Sequence, residues 1–265
     1  MTVLTERFAT LRHEKRCGFI PFVVAGDPGL KATAAIIHVL SRVDPVAIEL
    51  GVPFSDPAAD GPVIQRAAQR ALQNGTDLAG ILQMLRGISG DAIAPVVLFS
   101  YYNPILQFGI EEFARALSGC AVAGVLVVDL PPEAAAALQQ HLRKEEIDLI
   151  LLVAPTTSDR RLEQIARLAS GFIYAVSRTG VTGTARELID ESRQLVGRIR
   201  AVTDLPVAVG FGITAREQAR RICRYADAAV VGSRIVADVE RVTAKKGFTQ
   251  QALLRAISSC VHEFA

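Results

Sequence analysis

The sequence predicts an α/β protein, a (β/α)8 TIM barrel built as a single domain over residues 1–265 with an extra helix at its amino end. Three observations predict it. The 265 residues match the length of about 250 typical of one such barrel. Eight short apolar runs alternate with stretches of helical periodicity, the pattern of a parallel sheet with right-handed crossovers. No Pro/Gly/Ser-rich linker interrupts that alternation, and eight units in one unbroken chain favour a closed barrel over an open doubly wound sheet. The open sheet would want G-x-G-x-x-G straight after its first strand. Ala25-Gly26-Asp27-Pro28-Gly29 stands there instead.

The strand-like runs are Phe19–Val24, Val46–Gly51, Pro95–Ser100, Gly124–Asp129, Asp148–Val153, Phe172–Ser177, Leu205–Gly210 and Ala228–Gly232. Val, Ile and Leu dominate them without polar alternation, as suits strands buried on both faces. Helical periodicity marks Leu30–Ser41, Ile64–Leu72, Asp77–Gly87, Ile110–Leu117, Pro132–Lys144, Asp159–Ala169, Leu188–Val202, Ala215–Arg224 and Thr249–Glu263. Pro131-Pro132-Glu133 opens one of these, because proline is tolerated in a first helical turn. Thr214 followed three residues later by Glu217 reads as a capping box.

Composition narrows the function. Lys plus Arg is 29 and Asp plus Glu is 27, a net charge of +2. So balanced a chain offers little electrostatic reason to bind nucleic acid. Half of the residues are hydrophobic and 21% are charged, which excludes global disorder. No apolar run approaches the ~18 residues of a membrane span, and the opening MTVLTERFATLRHEKR shows no signal-peptide core. Cys17, Cys120, Cys223 and Cys260 are scattered without a C-x-x-C pair, so neither a disulfide framework nor a zinc site is expected. The expectation is a reduced, soluble, cytoplasmic protein. His13, His38, His141 and His262 fall in helical segments away from strand ends, which disfavours Ser-His-Asp and Cys-His chemistry.

In a barrel the chemistry sits at the carboxyl ends of the strands. In the second run, Val46, Ile48 and Leu50 alternate with Ala47, Glu49 and Gly51. The bulky set suits packing against outer helices, and the small set would aim Glu49 into the barrel. A buried carboxylate is costly unless paired or functional, and burial raises its pKa toward the range of a general acid/base. Glu49 is therefore either catalytic or a paired structural carboxylate. In the proline-rich loop that follows, Asp60 is either a second carboxylate facing the cavity or an N-cap for the helix after Gly61-Pro62. The Gly- and Thr-containing stretch Ser177–Thr184 suits a loop that folds over a ligand, or an ordinary connection. Gly212, Gly232 and Ser233 follow the last two strands, where barrels often hold a phosphate on backbone N–H groups and a helix amino terminus. Tight turns are the plainer alternative.

Taken together, the stretches Pro21–Gly29 (PFVVAGDPG), Ile48–Gln65 (IELGVPFSDPAADGPVIQ), Tyr101–Ile105 (YYNPI), Asp129–Glu133 (DLPPE), Tyr174–Gly183 (YAVSRTGVTG), Val209–Ile213 (VGFGI) and Val231–Val236 (VGSRIV) resemble the tryptophan synthase alpha chain family. The resemblance implies retro-aldol cleavage of indole-3-glycerol phosphate to indole and D-glyceraldehyde 3-phosphate, with no cofactor or metal in this chain. It implies that Glu49 is the acid/base group and that Asp60 accepts from the indole N–H. Phe22 and Tyr174 would line the pocket, and Thr182 would close toward Asp60. Gly183, Gly212, Gly232 and Ser233 would hold the phosphate. It also implies a pyridoxal-phosphate beta chain as partner in an αββα heterotetramer. That chain would face the Pro53–Asp60 loop, Tyr101–Pro104 and the Pro131-Pro132 region. Val24, Val128 and Phe99-Ser100 depart from residues frequent in the family. Two rival functions stay open: another phosphate-binding barrel isomerase or epimerase, and an activating subunit with little turnover.

Overall fold

A computed structural model describes residues 1–176, 185–210 and 212–264, the side chains of 185–189 excepted. Eight parallel strands close on themselves in chain order. They are β1 (Gly18–Val24), β2 (Ile48–Gly51), β3 (Val96–Ser100), β4 (Val122–Val127), β5 (Asp148–Val153), β6 (Ile173–Val176), β7 (Val207–Gly210) and β8 (Ala228–Val231). Closure is made by β1 against β8, with Gly18 opposite Ala228. Around them run α1 (Val3–His13), α2 (Leu30–Ser41), α3 (Pro62–Gln73), α4 (Leu78–Ile88), α5 (Tyr102–Phe108) and α6 (Ile110–Leu117). The ring continues through α7 (Pro132–Lys144), α8 (Asp159–Leu168), α9 (Ala185–Arg200), α10 (Arg216–Ile222), α11 (Ser233–Thr243) and α12 (Gln250–His262).

Alternation along the strands sorts the buried side chains into two layers. Ile48, Leu50, Val96 and Leu98 pack outward with the helices. Phe22, Val97, Phe99, Leu126, Ile150, Tyr174 and Val230 fill the interior. Val46 was expected outside, yet it joins the interior cluster, because β2 begins only at Ile48 and the two residues before it are not yet in the strand's alternation. The extra amino-terminal helix plugs the amino end of the barrel. Leu4 and Phe8 of α1 enter the interior cluster, and the Phe8 ring lies 5.5 Å from that of Phe172. The Thr2 hydroxyl donates to Asp148 at the start of β5 over 2.7 Å, anchoring the plug.

Two helices lie outside the expected set. α5 is short and carries Pro104 near its start, so it has too few turns to show a period. α11 follows β8 with only Gly232 between them; the glycine reading put a loop and a helix amino terminus here but read no helical period. At α10 it is Gln218, not Glu217, whose Oε1 accepts from the N–H groups of Thr214 and Ala215, at 2.8 and 3.0 Å. All four histidines are helical or at a helix end, as expected. The expectation of fully reduced cysteines is corrected: Cys17 and Cys223 form a disulfide, while Cys120 and Cys260 are free. Their separation of 206 residues hides the pairing from spacing, since only barrel closure brings the start of β1 beside the end of α10. Among the described residues no helix is long and apolar enough to cross a membrane.

An ion network ties three connections together. Arg70 on α3 grips Asp27 with two hydrogen bonds of 2.9 and 2.8 Å and reaches Glu240 on α11 at 2.8 Å. Arg66 adds a two-pronged contact to the same Glu240, both bonds 2.7 Å. Bidentate arginine–carboxylate pairs have fixed geometry, so the loop after β1, α3 and α11 are held as one clasp. The two arginines hold the Glu240 carboxyl down at about 2.

Candidate active site

One cavity at the carboxyl ends of the strands is lined by Phe22, Glu49, Asp60, Tyr174, Gly212, Gly232 and Ser233, together with Ile64, Phe99 and Val230. The structure therefore brings together every proposed site residue that it describes. Thr182 and Gly183 lie outside the described residues, as does Phe211 within the VGFGI motif.

Glu49 comes from β2, where it stands opposite Phe22 of β1 and Val97 of β3. It is fully buried, and neither carboxyl oxygen has a hydrogen-bond partner among the described residues. Among the described residues the paired structural reading finds no pair. No donor among the described residues stabilises the anion, and burial pushes the carboxyl up to about 8. At neutral pH the group is mostly a neutral acid aimed at the cavity.

Asp60 does not cap α3. The N-cap is Gly61, with no side-chain cap bond, and Pro62 opens the helix. The Gln65 side chain closes the turn instead by donating to the Asp60 and Pro57 carbonyls, at 2.9 and 3.3 Å. The Asp60 carboxylate accepts from the Tyr101 hydroxyl at 3.2 Å. That hydroxyl accepts from the Ala59 N–H at 2.9 Å, and the Tyr101 ring stacks on Phe54 with centroids 4.9 Å apart. Partial burial raises the Asp60 carboxyl to about 6, and the Tyr101 hydrogen bond limits the rise. Sequence reasoning missed this role of Tyr101. The available signal was a tyrosine at the carboxyl end of a strand, directly after Ser100.

Two carboxyl groups in one cavity are thus set apart by their surroundings, one protonated and one ionised at neutral pH. Such a split lets one act as acid while the other accepts charge. The walls between them are aromatic. Phe22 meets Phe99 edge-on at 5.3 Å, and Phe99 meets Tyr174 at 6.5 Å, a lining suited to a flat apolar ring. Burial, then the nearby Glu49 and Asp60, raise the Tyr174 phenol well above its ordinary value, so it stays neutral.

At the far side, Gly232 leads directly into α11 with Ser233 as its first residue. The amino terminus of this helix faces the cavity and favours an anion. Gly212 has φ +82°, a left-handed turn that glycine adopts without strain. Gly210 is small for a different reason: a Cβ there would run into the Tyr174 hydroxyl and ring. Gly210→Ala is expected to displace that ring at about 1–3 kcal/mol of stability, readable as a lower urea midpoint. Among the described residues no group of His, Cys, Asp and Glu is arranged to hold a metal ion.

The family model for the tryptophan synthase alpha chain matches residues 8–262. The tryptophan synthase alpha chain of Trichormus variabilis is 48% identical over 250 residues, covering 94% of each chain. That of a Caulobacter species is 45% identical, covering 96% of this chain and 93% of its own. Among solved structures, tryptophan synthase from M. tuberculosis in its aminoacrylate-bound form superposes with a TM-score of 0.87 at 32% identity, over 100% of this chain and 98% of that one. Tryptophan synthase subunit alpha from Legionella pneumophila gives 0.85 at 33% identity, over 99% of each. The chain belongs to the tryptophan synthase alpha chain family.

Proposed function

We propose that this chain is a carbon–carbon lyase that cleaves indole-3-glycerol phosphate to indole and D-glyceraldehyde 3-phosphate. The observation that carries the reading is Glu49, a fully buried carboxyl with no hydrogen-bond partner among the described residues, in one cavity with the half-buried Asp60. Glu49 gives its proton to the indole carbon that bears the glycerol chain, while Asp60 accepts the indole N–H and offsets the positive charge. The ring becomes an electron sink. The side-chain hydroxyl then returns a proton to Glu49, its carbon becomes the aldehyde, and the electrons of the broken bond restore the indole. Only at the end of the turnover are both carboxyl groups as they began, Glu49 having been the anion in between. Gly212, Gly232 and Ser233 would hold the phosphate, joined by Gly183. Phe22 and Tyr174 would clamp the ring and glycerol portion, with Thr182 closing toward Asp60.

The proposed partner is a tryptophan synthase beta chain, which would hold pyridoxal phosphate and receive indole within an αββα heterotetramer. Ser55, Asp56, Ala58 and Asn103 are exposed at the cavity mouth, where such a partner would press on the Asp60 loop. A cytoplasmic setting fits this biosynthetic role. The test is release of glyceraldehyde 3-phosphate from indole-3-glycerol phosphate, with and without a beta chain. Slow cleavage that the partner accelerates is expected. No cleavage with the partner bound would leave an activating subunit, and metal-dependent turnover of a sugar phosphate would favour the isomerase reading.

Tyr101→Phe tests the division of labour between the carboxyl groups. Removing a hydroxyl that favours the Asp60 anion should raise its pKa further above 6. A hydrogen bond to a charged group is worth roughly 1.5–3 kcal/mol, so the acid limb of the kcat profile should move up by about one to two pH units. An unmoved limb would dissociate Asp60 from that limb.

A further inference from the structure

At the amino end of the barrel, opposite the cavity of Glu49 and Asp60, lies a second cavity of about 430 Å³. It opens between α1, the entry to β1, the turn before β2, and α10. Leu11, Phe19 and Val46 form its apolar floor, and both Cys17 and Cys223 line it. Each cysteine is only half-buried, so the disulfide borders solvent-reachable space.

The rim is cationic. Arg7, Arg16, Arg216 and Arg220 stand against Glu14 and Asp44. Arg7 is neutralised by Asp44 and Arg16 by Glu14. Arg216 and Arg220 are exposed and have no ion-pair partner among the described residues. They lie four residues apart on α10, and Cys223 follows three beyond Arg220. That spacing puts both guanidinium groups and the sulfur on one face of the helix. A disulfide, an access path and two uncommitted cations therefore converge on one place.

We propose that this cavity is a thiol–disulfide exchange site at which a small anionic thiol opens the Cys17–Cys223 bond. A thiolate attacks one sulfur, forming a mixed disulfide and expelling the other cysteine as a thiolate that takes a proton from water. A second thiolate attacks the small-molecule sulfur, releasing the oxidised small disulfide and the remaining cysteine. Two thiols are oxidised and one protein disulfide is reduced; the small disulfide reverses the sequence. Arg216 and Arg220 draw the anion in and stabilise the departing thiolate.

The test incubates the protein with oxidised glutathione, then follows loss of the linked Cys17 and Cys223 peptides by alkylation and mass analysis. Reduced glutathione, an anionic thiol, is compared with cysteamine, whose ammonium is repelled. Each rate is normalised to that on a small unhindered disulfide at low salt. Glutathione should be faster by about tenfold, and Arg216→Gln/Arg220→Gln, both on the exposed rim, should bring the ratio to about one. High salt should do the same. Peptides that never link under oxidation, equal normalised rates in the unaltered protein, or a ratio indifferent to the double substitution would each overturn the proposal.

Discussion

Glu49→Gln should slow cleavage by orders of magnitude while making the protein more stable at alkaline pH. Loss of a general acid/base costs about 10²–10⁴ in rate, so kcat for glyceraldehyde 3-phosphate release should fall by that factor with the beta chain present. The stability change follows from proton linkage. The carboxyl has an ordinary value of 4.5 and is held at about 8 in the fold. Below 4.5 both folded and unfolded chains keep the proton, and stability is full. As pH rises toward 8 the unfolded chain releases its proton first, and the fold loses stability until the folded carboxyl ionises as well. Gln carries no such penalty. The variant should match the unaltered protein at pH 4 and exceed it by on the order of 4 kcal/mol at pH 8. Urea midpoints at the two pH values measure this. A constant difference would mean that Glu49 is not held protonated, whatever happens to kcat.

Phe8→Ala should cost about 3–5 kcal/mol, the usual range for removing a buried aromatic ring. Phe8 is 1% exposed and closes the amino end of the barrel against Phe172. Few groups can relax into the space, because strands on all sides are held by their neighbours. The melting temperature should fall by roughly 10 °C. The KM for the phosphate substrate should hold steady, since the ring sits at the other end of the strands from Ser233. A large KM change would show that the plug also shapes the catalytic cavity.

What was legible in the sequence was whatever repeats or alternates. Eight strands appear where eight runs were read, with ends shifted by one or two residues everywhere but β5, and the limits of α2, α6 and α7 match, because burial on both faces and amphipathic periods leave a local record. Glu49 was legible for the same reason: a charged residue among small ones on the inner face of a strand has one place to point. Asp60 was ambiguous, since Asp before Gly-Pro suits both a cap and a site, and the N-cap at Gly61 and the Tyr101 hydroxyl across the cavity mouth separate them. The disulfide and the Arg70 clasp were illegible. Their partners lie 206 residues apart in one case and on three separate connections in the other, and such meetings are products of closure.

The clasp has a mechanical consequence. Arg70 and Arg66 bolt α3, which hangs from the Asp60 loop, to α11, whose first residue is Ser233. A push on that loop from outside would be passed along α3 to α11, as through a crank, and so to the opposite wall of the cavity. The two ends of a long substrate would then be gripped in one stroke, and a partner touching only the rim would set the timing of both.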